Sequence, residues 1–395
     1  MTVRLGDFFG GQTIESDKTF YVSTTGSDTT GDGTSGNPWK TIHHALDYLD
    51  NFAIHNDATV TIQLADGTYS YTSSIIVSHP HGGNITIEGN TTTPSNVLIQ
   101  HTGCVFMQVY TQLGSLKGVK IQESGSTQSY YGIRVSGGVL GGDSLEFDNH
   151  DIAVYVVNRG VANFAIDSLT VTNAKIGLYA SDSSNLEAPG CTITGGTGSE
   201  SGVYSYYSSS VNLGAGPSIT GSFTNYGIIA FGSSFLYAYE PLIRNGSNPD
   251  NGTGVYATYG SCIYCLGTAT TYARVYEWYD GVRAYHGSTI MFGNGYVWWP
   301  SGSTASGSAV RADYDSFIDF YDGIIRRYNY GVRSMRDSYI RAPRVDSVGC
   351  ASWDVYAYYS SANHLNNYVN ISSASPALTS ANDPTFGNRG SVNQT

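Results

Sequence analysis

The residues in this chain best suited to chemistry are carboxylates. Asp315 and Asp337 hold the same position in two adjacent repeated blocks, AVRADYDSFIDF from Ala309 and GVRSMRDSYIRA from Gly331. If the blocks stack as paired strands, the two side chains lie about 5 Å apart, near the separation of a retaining glycosidase pair. One would protonate the leaving oxygen and the other act as base or nucleophile. Asp319 falls on the following strand, and His286 and Arg336 share the adjoining column. Other blocks carry Ser or Gly at the same position, so the plainer reading is an Asx turn. A second cluster, Glu146, Asp148, His150 and Asp151 in LEFDNHD, combines acids with a histidine and reads as a solvated loop.

Binding residues fall into columns once the blocks are aligned. One column is Tyr256, Arg283, Arg311, Arg333 and Tyr356. Stacked guanidiniums repel, so nearby Asp280, Asp313 or Asp337, a partner subunit or an acidic ligand must offset them. A second column is Thr194, Thr220, Arg244, Tyr276, Trp298, Arg326 and Asp346, with Trp299 beside Trp298. Flat rings interleaved with guanidiniums suit sugars, which offer an apolar face and hydroxyls, although the same rings could pack under loops or against another subunit. A third column, Phe235, Cys262, Thr289, Phe317 and Tyr339, with neighbours Tyr237, Tyr264, Met291, Asp319 and Arg341, leaves apolar groups outward. Such a stripe predicts an interface, and threefold self-association would bury it.

The elements that must position these residues follow from the repeat. Eight blocks begin at Gly177, Gly202, Gly227, Gly254, Gly281, Ala309, Gly331 and Asp354, each with a Ser seven residues on: Ser184, Ser209, Ser234, Ser261, Ser288, Ser316, Ser338 and Ser361. The blocks are rigid while their spacing varies, which marks a stacked coil with elastic loops. After the Ser, apolar residues alternate, as in Ile263 and Cys265 or Ile290 and Phe292. Alternation of period two predicts short strands, three per turn, wound into an all-β parallel β-helix of about a dozen turns. Near the start, Asn37 and Pro38 predict the beginning of a helix whose stripe is Ile42, Ala45, Leu46 and Leu49, a lid over the open end of the coil.

The expected division is an arm over 1–19, the entry strand, loop and capping helix over 20–58, the coil over 59–365 and an irregular tail over 366–395. Phe8 and Phe9 give the arm a small apolar handle, which is either a frayed end or an attachment segment. The Asp28 and Asp32 loop reads as a turn, and Cys262 and Cys265 point to opposite faces of a strand, so no metal or other cofactor is expected. A net charge of −12 disfavours nucleic acid and anionic membranes. No apolar run is long enough to span a bilayer. The first residues lack a Sec-type leader, and the odd number of cysteines, five, fits assembly in a cytosol.

The run YVSTTGSDTTGDGTSGNPWKTIHHAL, followed by VTIQLADGTYS at 60 and ITIEGN at 85, resembles the opening of pectate-lyase-like right-handed parallel β-helix proteins, especially bacteriophage tailspikes and tail fibres. The resemblance implies a homotrimeric virion protein assembled in the host cytoplasm, with the arm bound to a phage tail or baseplate protein and a bacterial surface polysaccharide as receptor. It also implies that the polysaccharide could be cut by a hydrolase or lyase, and the carboxylates singled out by the block alignment, Asp315, Asp337 and Asp319, are the catalytic candidates. Tyr276, Trp298, Trp299, Arg326, Arg283, Arg311, Arg333 and His286 are the carbohydrate-binding candidates. The short tail leaves no room for the large trimerisation domain common in such proteins. A structural virion fibre or decoration protein and a free polysaccharide lyase or hydrolase remain open, because this fold carries many functions.

Overall fold

The computed structural model describes residues 12–125, 129–246, 252–299 and 305–358, and beyond them the strands Ala362–Leu365, Val369–Ser373, Leu378–Ser380 and Ser391–Gln394. The chain is a right-handed parallel β-helix of about 11 turns with three short strands in most turns. It divides into two compact units, one of residues 1–174 and 183–188, the other of 175–182 and 189–395.

In the first unit, Lys18–Val22, Val60–Leu64 and Ile85–Glu88 pair in parallel and in register. The only α-helix among the described residues is Ile42–Leu49, and its buried face is the expected stripe of Ile42, Ala45, Leu46 and Leu49. Its start is later than the sequence suggests. Thr41 is the N-cap, its hydroxyl accepting from the His44 backbone N–H at 3.1 Å. Asn37 instead closes the preceding loop by donating to the Thr30 carbonyl, and Trp39 between them is buried against Phe20 at 5.0 Å. Burying that indole outweighs the local preference of Asn-Pro for a helix start. The Asp28 carboxylate accepts from the backbone N–H groups of Lys40 and Thr41 and from the Thr41 hydroxyl, which gives it a capping role.

The second unit is built on three interior files. Val255, Val282, Val310 and Val332 stack in the first strands of successive turns, Ile263, Ile290, Ile318 and Ile340 in the second, and Val275, Val297 and Ile325 in the third. All are completely buried. Each such side chain contributes about 1.5–3 kcal/mol by leaving water. Space at the block start is tight: a Cβ on Gly227 would lie 2.6 Å from the Gly254 carbonyl oxygen and 2.3 Å from the Ile243 side chain.

The repeated serine sets the register at the corner between first and second strands. Ser209, Ser234, Ser261, Ser288 and Ser316 each donate a backbone N–H to the hydroxyl of the next serine, ending at Ser338, at 3.1–3.3 Å. The serines are buried, so this ladder satisfies backbone donors that water cannot reach. Ser361 lies outside the described residues.

Two ends differ from expectation. Residues 1–11, with Phe8 and Phe9, lie outside the described residues, while Thr13–Ile14 pairs with Ala53–Ile54 and belongs to the first unit. The expected irregular tail contains paired strands: Val355–Ala357 pairs with Leu378–Ser380, and Ala362–Leu365 with Ser391–Gln394. Backbone pairing continues where the apolar alternation in the sequence has faded, because the ladder needs only N–H and C=O groups.

Candidate functional site

The first-strand face of the second unit carries an outward column that changes chemistry part-way. Tyr179 stacks on Tyr204 at 5.3 Å. The next register position is the buried Ile229, and Tyr226, three residues earlier on that strand, bridges it with a ring 6.2 Å from Tyr204 and stacked on Tyr256 at 5.2 Å and 16°. Tyr256 then pairs in register with Arg283, Arg283 with Arg311, Arg311 with Arg333, and Arg333 with Tyr356. The column predicted from block alignment is therefore continuous. Strand alternation puts these side chains outward because Val255, Val282, Val310 and Val332, one residue before, point in.

At the change from tyrosine to arginine lies an open cleft of about 470 Å³ lined by Tyr226, Tyr256, Tyr279, Asp280 and Arg283 together with Asn225 and Thr253. Tyr279 is 37% exposed and offers its ring to solvent. The Arg283 guanidinium lies 5.6 Å from the centre of the Tyr256 ring and 4.9 Å from that of Tyr285.

Carboxylates offset part of the arginine charge, as the alignment allowed. Asp280 sits 3.6 Å from both Arg283 and Arg311, and Asp313 accepts from Arg311 at 2.9 Å and from Arg336 at 3.0 Å. Both aspartates are buried, and Asp280 also accepts the Ser308 backbone N–H. Asp337, the third candidate partner, forms no ion pair with this column among the described residues. Among the described residues Arg333 forms no ion pair; its guanidinium faces Tyr330 at 4.5 Å and Tyr356 at 5.8 Å, with Asp280 acting on it only from farther off. Burial and the neighbouring Arg311 charge lower its pKa. The Nε atoms of Arg283, Arg311 and Arg333 are buried with no hydrogen-bond partner among the described residues.

Comparison with protein-family models, curated proteins and solved structures finds no match.

The other predicted columns are also in register, with two corrections. Tyr276 pairs with Trp298 and Trp298 with Arg326, and Tyr276, Tyr296 and Trp298 form an outward cluster with ring centres 5.6–6.2 Å apart. Asp346, however, pairs with Ile324 rather than Arg326 and reaches Arg326 diagonally at 2.6 Å. Trp299 is not on this face. It turns inward, 6% exposed, against Tyr328, because strand alternation reverses its direction relative to Trp298. The Phe235, Cys262, Thr289, Phe317 and Tyr339 column is continuous, with Phe317 stacked on Tyr339 at 5.6 Å.

Of the three catalytic candidates, one is ion-paired and two lie at exposed corners. Asp319 is buried and held by both nitrogens of the Arg341 fork at 2.9 and 2.8 Å. Asp315 and Asp337 are exposed and left-handed, with φ of 56° and 61°. The equivalent residues Ser183, Ser208, Ser233, Gly260 and Gly287 are left-handed too, so the corner demands a residue that tolerates this conformation. His286 is left-handed at the same corner and packs between Tyr259 at 4.6 Å and Tyr314 at 5.2 Å.

The LEFDNHD cluster is not a solvated loop. His150 is completely buried and its Nε2 lies 3.0 Å from that of His101, with the rings stacked at 5.1 Å. Burial lowers both pKa values, His150 far below the usual histidine range with His101 adding to the effect. Asp148 is a hydrogen-bond hub for Gln122, Thr172 and Asn173. The histidines are 49 residues apart in sequence and His101 lies outside the eight repeated blocks, so no spacing signalled the pair. Among the described residues, no group of three or more His, Cys, Asp or Glu could hold a metal.

Proposed function

We propose that the chain is the tailspike or tail fibre of a bacteriophage, a homotrimer that binds a polysaccharide on the bacterial surface and attaches to a tail or baseplate protein through its first residues. The observation that carries this reading is the long outward file of tyrosines leading into arginines, with an open cleft at the change. Ring faces suit the apolar faces of pyranoses, and a guanidinium fork suits sugar hydroxyls and acids. A repeating coil also presents these groups at a constant rise of about 4.8 Å per turn, which suits a linear polymer better than a compact ligand.

The reading is of a receptor binder rather than a depolymerase. Asp319 is neutralised by Arg341, Asp280 by two arginines, and Asp315 and Asp337 answer a backbone requirement. The test is to incubate the purified protein with capsule and lipopolysaccharide from candidate hosts, then measure both retention and polymer length. Retention that falls at least tenfold in Tyr226→Ala with Tyr256→Ala, without shortening of the polymer, supports the proposal. Shortened oligosaccharides would make it an enzyme, and no retention of any bacterial glycan would favour a structural fibre.

A further inference from the structure

The column suggests which glycans are preferred. Three guanidiniums, those of Arg283, Arg311 and Arg336, share two carboxylates, Asp280 and Asp313, within ion-pair distance, and a fourth, Arg333, stands in the same column. Among the described side chains, four guanidiniums against these two carboxylates leave an excess of two positive charges in a chain whose net charge is −12. Elsewhere in the second unit Arg244, Arg326, Arg341 and Arg344 each have a carboxylate of their own.

The uncompensated charge has a position. Among the described residues Arg333 is within ion-pair distance of no carboxylate, and Arg283 has Asp280 only at 3.6 Å, shared with Arg311. These two residues bracket a run of three turns, and Arg283 also lines the cleft beside Tyr226 and Tyr256. A neutral sugar could use the tyrosines but would leave the arginine charge unanswered.

Building on the glycan-binding reading, we infer that the ligand is an acidic polysaccharide. Its neutral units lie over Tyr226 and Tyr256, and its anionic groups, carboxylate or sulfate, fall at Arg283 and Arg333. Charge-assisted, fork-like contacts of guanidinium to either anion are among the stronger hydrogen bonds. The negative net charge opposes indiscriminate binding of polyanions, so affinity for an acidic chain must come from a local site.

The experiment is an array of bacterial capsular and lipopolysaccharide glycans, acidic and neutral, probed with the full chain. Each acidic hit is re-measured after carboxyl reduction or desulfation, which also identifies the anion. The inference expects the hits to be acidic and to lose about tenfold or more in affinity once neutralised. Arg333→Gln should lose a similar factor, Arg333→Lys less, and Arg344→Gln, whose exposed ion pair with Asp322 is elsewhere, nothing. Hits confined to neutral glycans, or acidic hits indifferent to neutralisation, overturn the inference while leaving the glycan-binding reading intact. No hits at all overturn both. The neutralisation arm uses the unaltered protein, so it decides the matter even if an arginine variant fails to fold.

Discussion

The two units solve the same geometric problem in different ways. In the second, every corner from Ser209 to Ser338 uses one device, a serine hydroxyl accepting the backbone N–H of the preceding turn. In the first, corners are solved one at a time. Asn149 donates to the Glu123 and Gly125 carbonyls, Glu123 accepts from the backbone of Ser129 and Tyr130, and Gln112–Glu123 runs as one 12-residue strand along both Thr86–Glu88 and Leu98–His101. A shared device locks equivalent residues into files, and files give outward side chains a common direction. The tyrosine and arginine column therefore belongs to the second unit, while the first unit carries singular features such as the buried histidine pair.

Interior files should be the most sensitive part of this contrast. Ile290→Ala, in the middle of the Ile263 to Ile340 stack, is expected to cost about 2–5 kcal/mol in chemical denaturation. Breaking the corner device should cost less and reveal its continuity. Ser261→Ala removes the acceptor for the Ser234 N–H and is expected to cost about 1–3 kcal/mol. Combined with Ser288→Ala, which touches the same ladder, its effect should depart from additivity, whereas combined with Asn149→Ala in the other unit it should add.

Acid should single out the first unit. His101 and His150 are neutral in the fold with depressed pKa values, so the unfolded chain binds more protons once the pH falls through the ordinary histidine value near 6.5. Stability is unaffected by the pair above that pH and declines below it. We expect the melting temperature to fall by a few degrees from pH 7 to pH 5, with amide exchange around residues 101 and 150 rising first. The variant His150→Phe should flatten that dependence. The smallest effect is expected at the exposed corners: Asp315→Asn and Asp337→Asn should each change stability by under about 0.5 kcal/mol and leave glycan retention unchanged.

The same contrast explains what could be read from the sequence. The eight blocks start at Gly177, two residues into the second unit, and their alignment predicted the serine file and the Arg283, Arg311, Arg333 column because one corner device repeats. It slipped by two residues at Asp346, where the third strand begins beyond the Pro343 turn, and it could not tell that Trp299 faces inward. Tyr226 was missed as a site residue because it lies at the very start of its strand, before the aligned block begins. The His101 and His150 pair was illegible for a related reason: the first unit has no common period on which to align them.

Everything said of the column depends on residues 22 and 28 apart in sequence being neighbours in space. The direct test is disulfide formation between outward positions in the second unit, with peptide mapping to separate new bonds from the five native cysteines. The variant pair Arg311→Cys with Arg333→Cys, register partners in adjacent turns, should close on mild oxidation, because paired strands bring Cα atoms to about 4.8 Å. Arg283→Cys with Arg333→Cys, two turns apart, should stay reduced. Closure of the second pair in preference to the first, or of neither, would contradict the stacking from which the site is built.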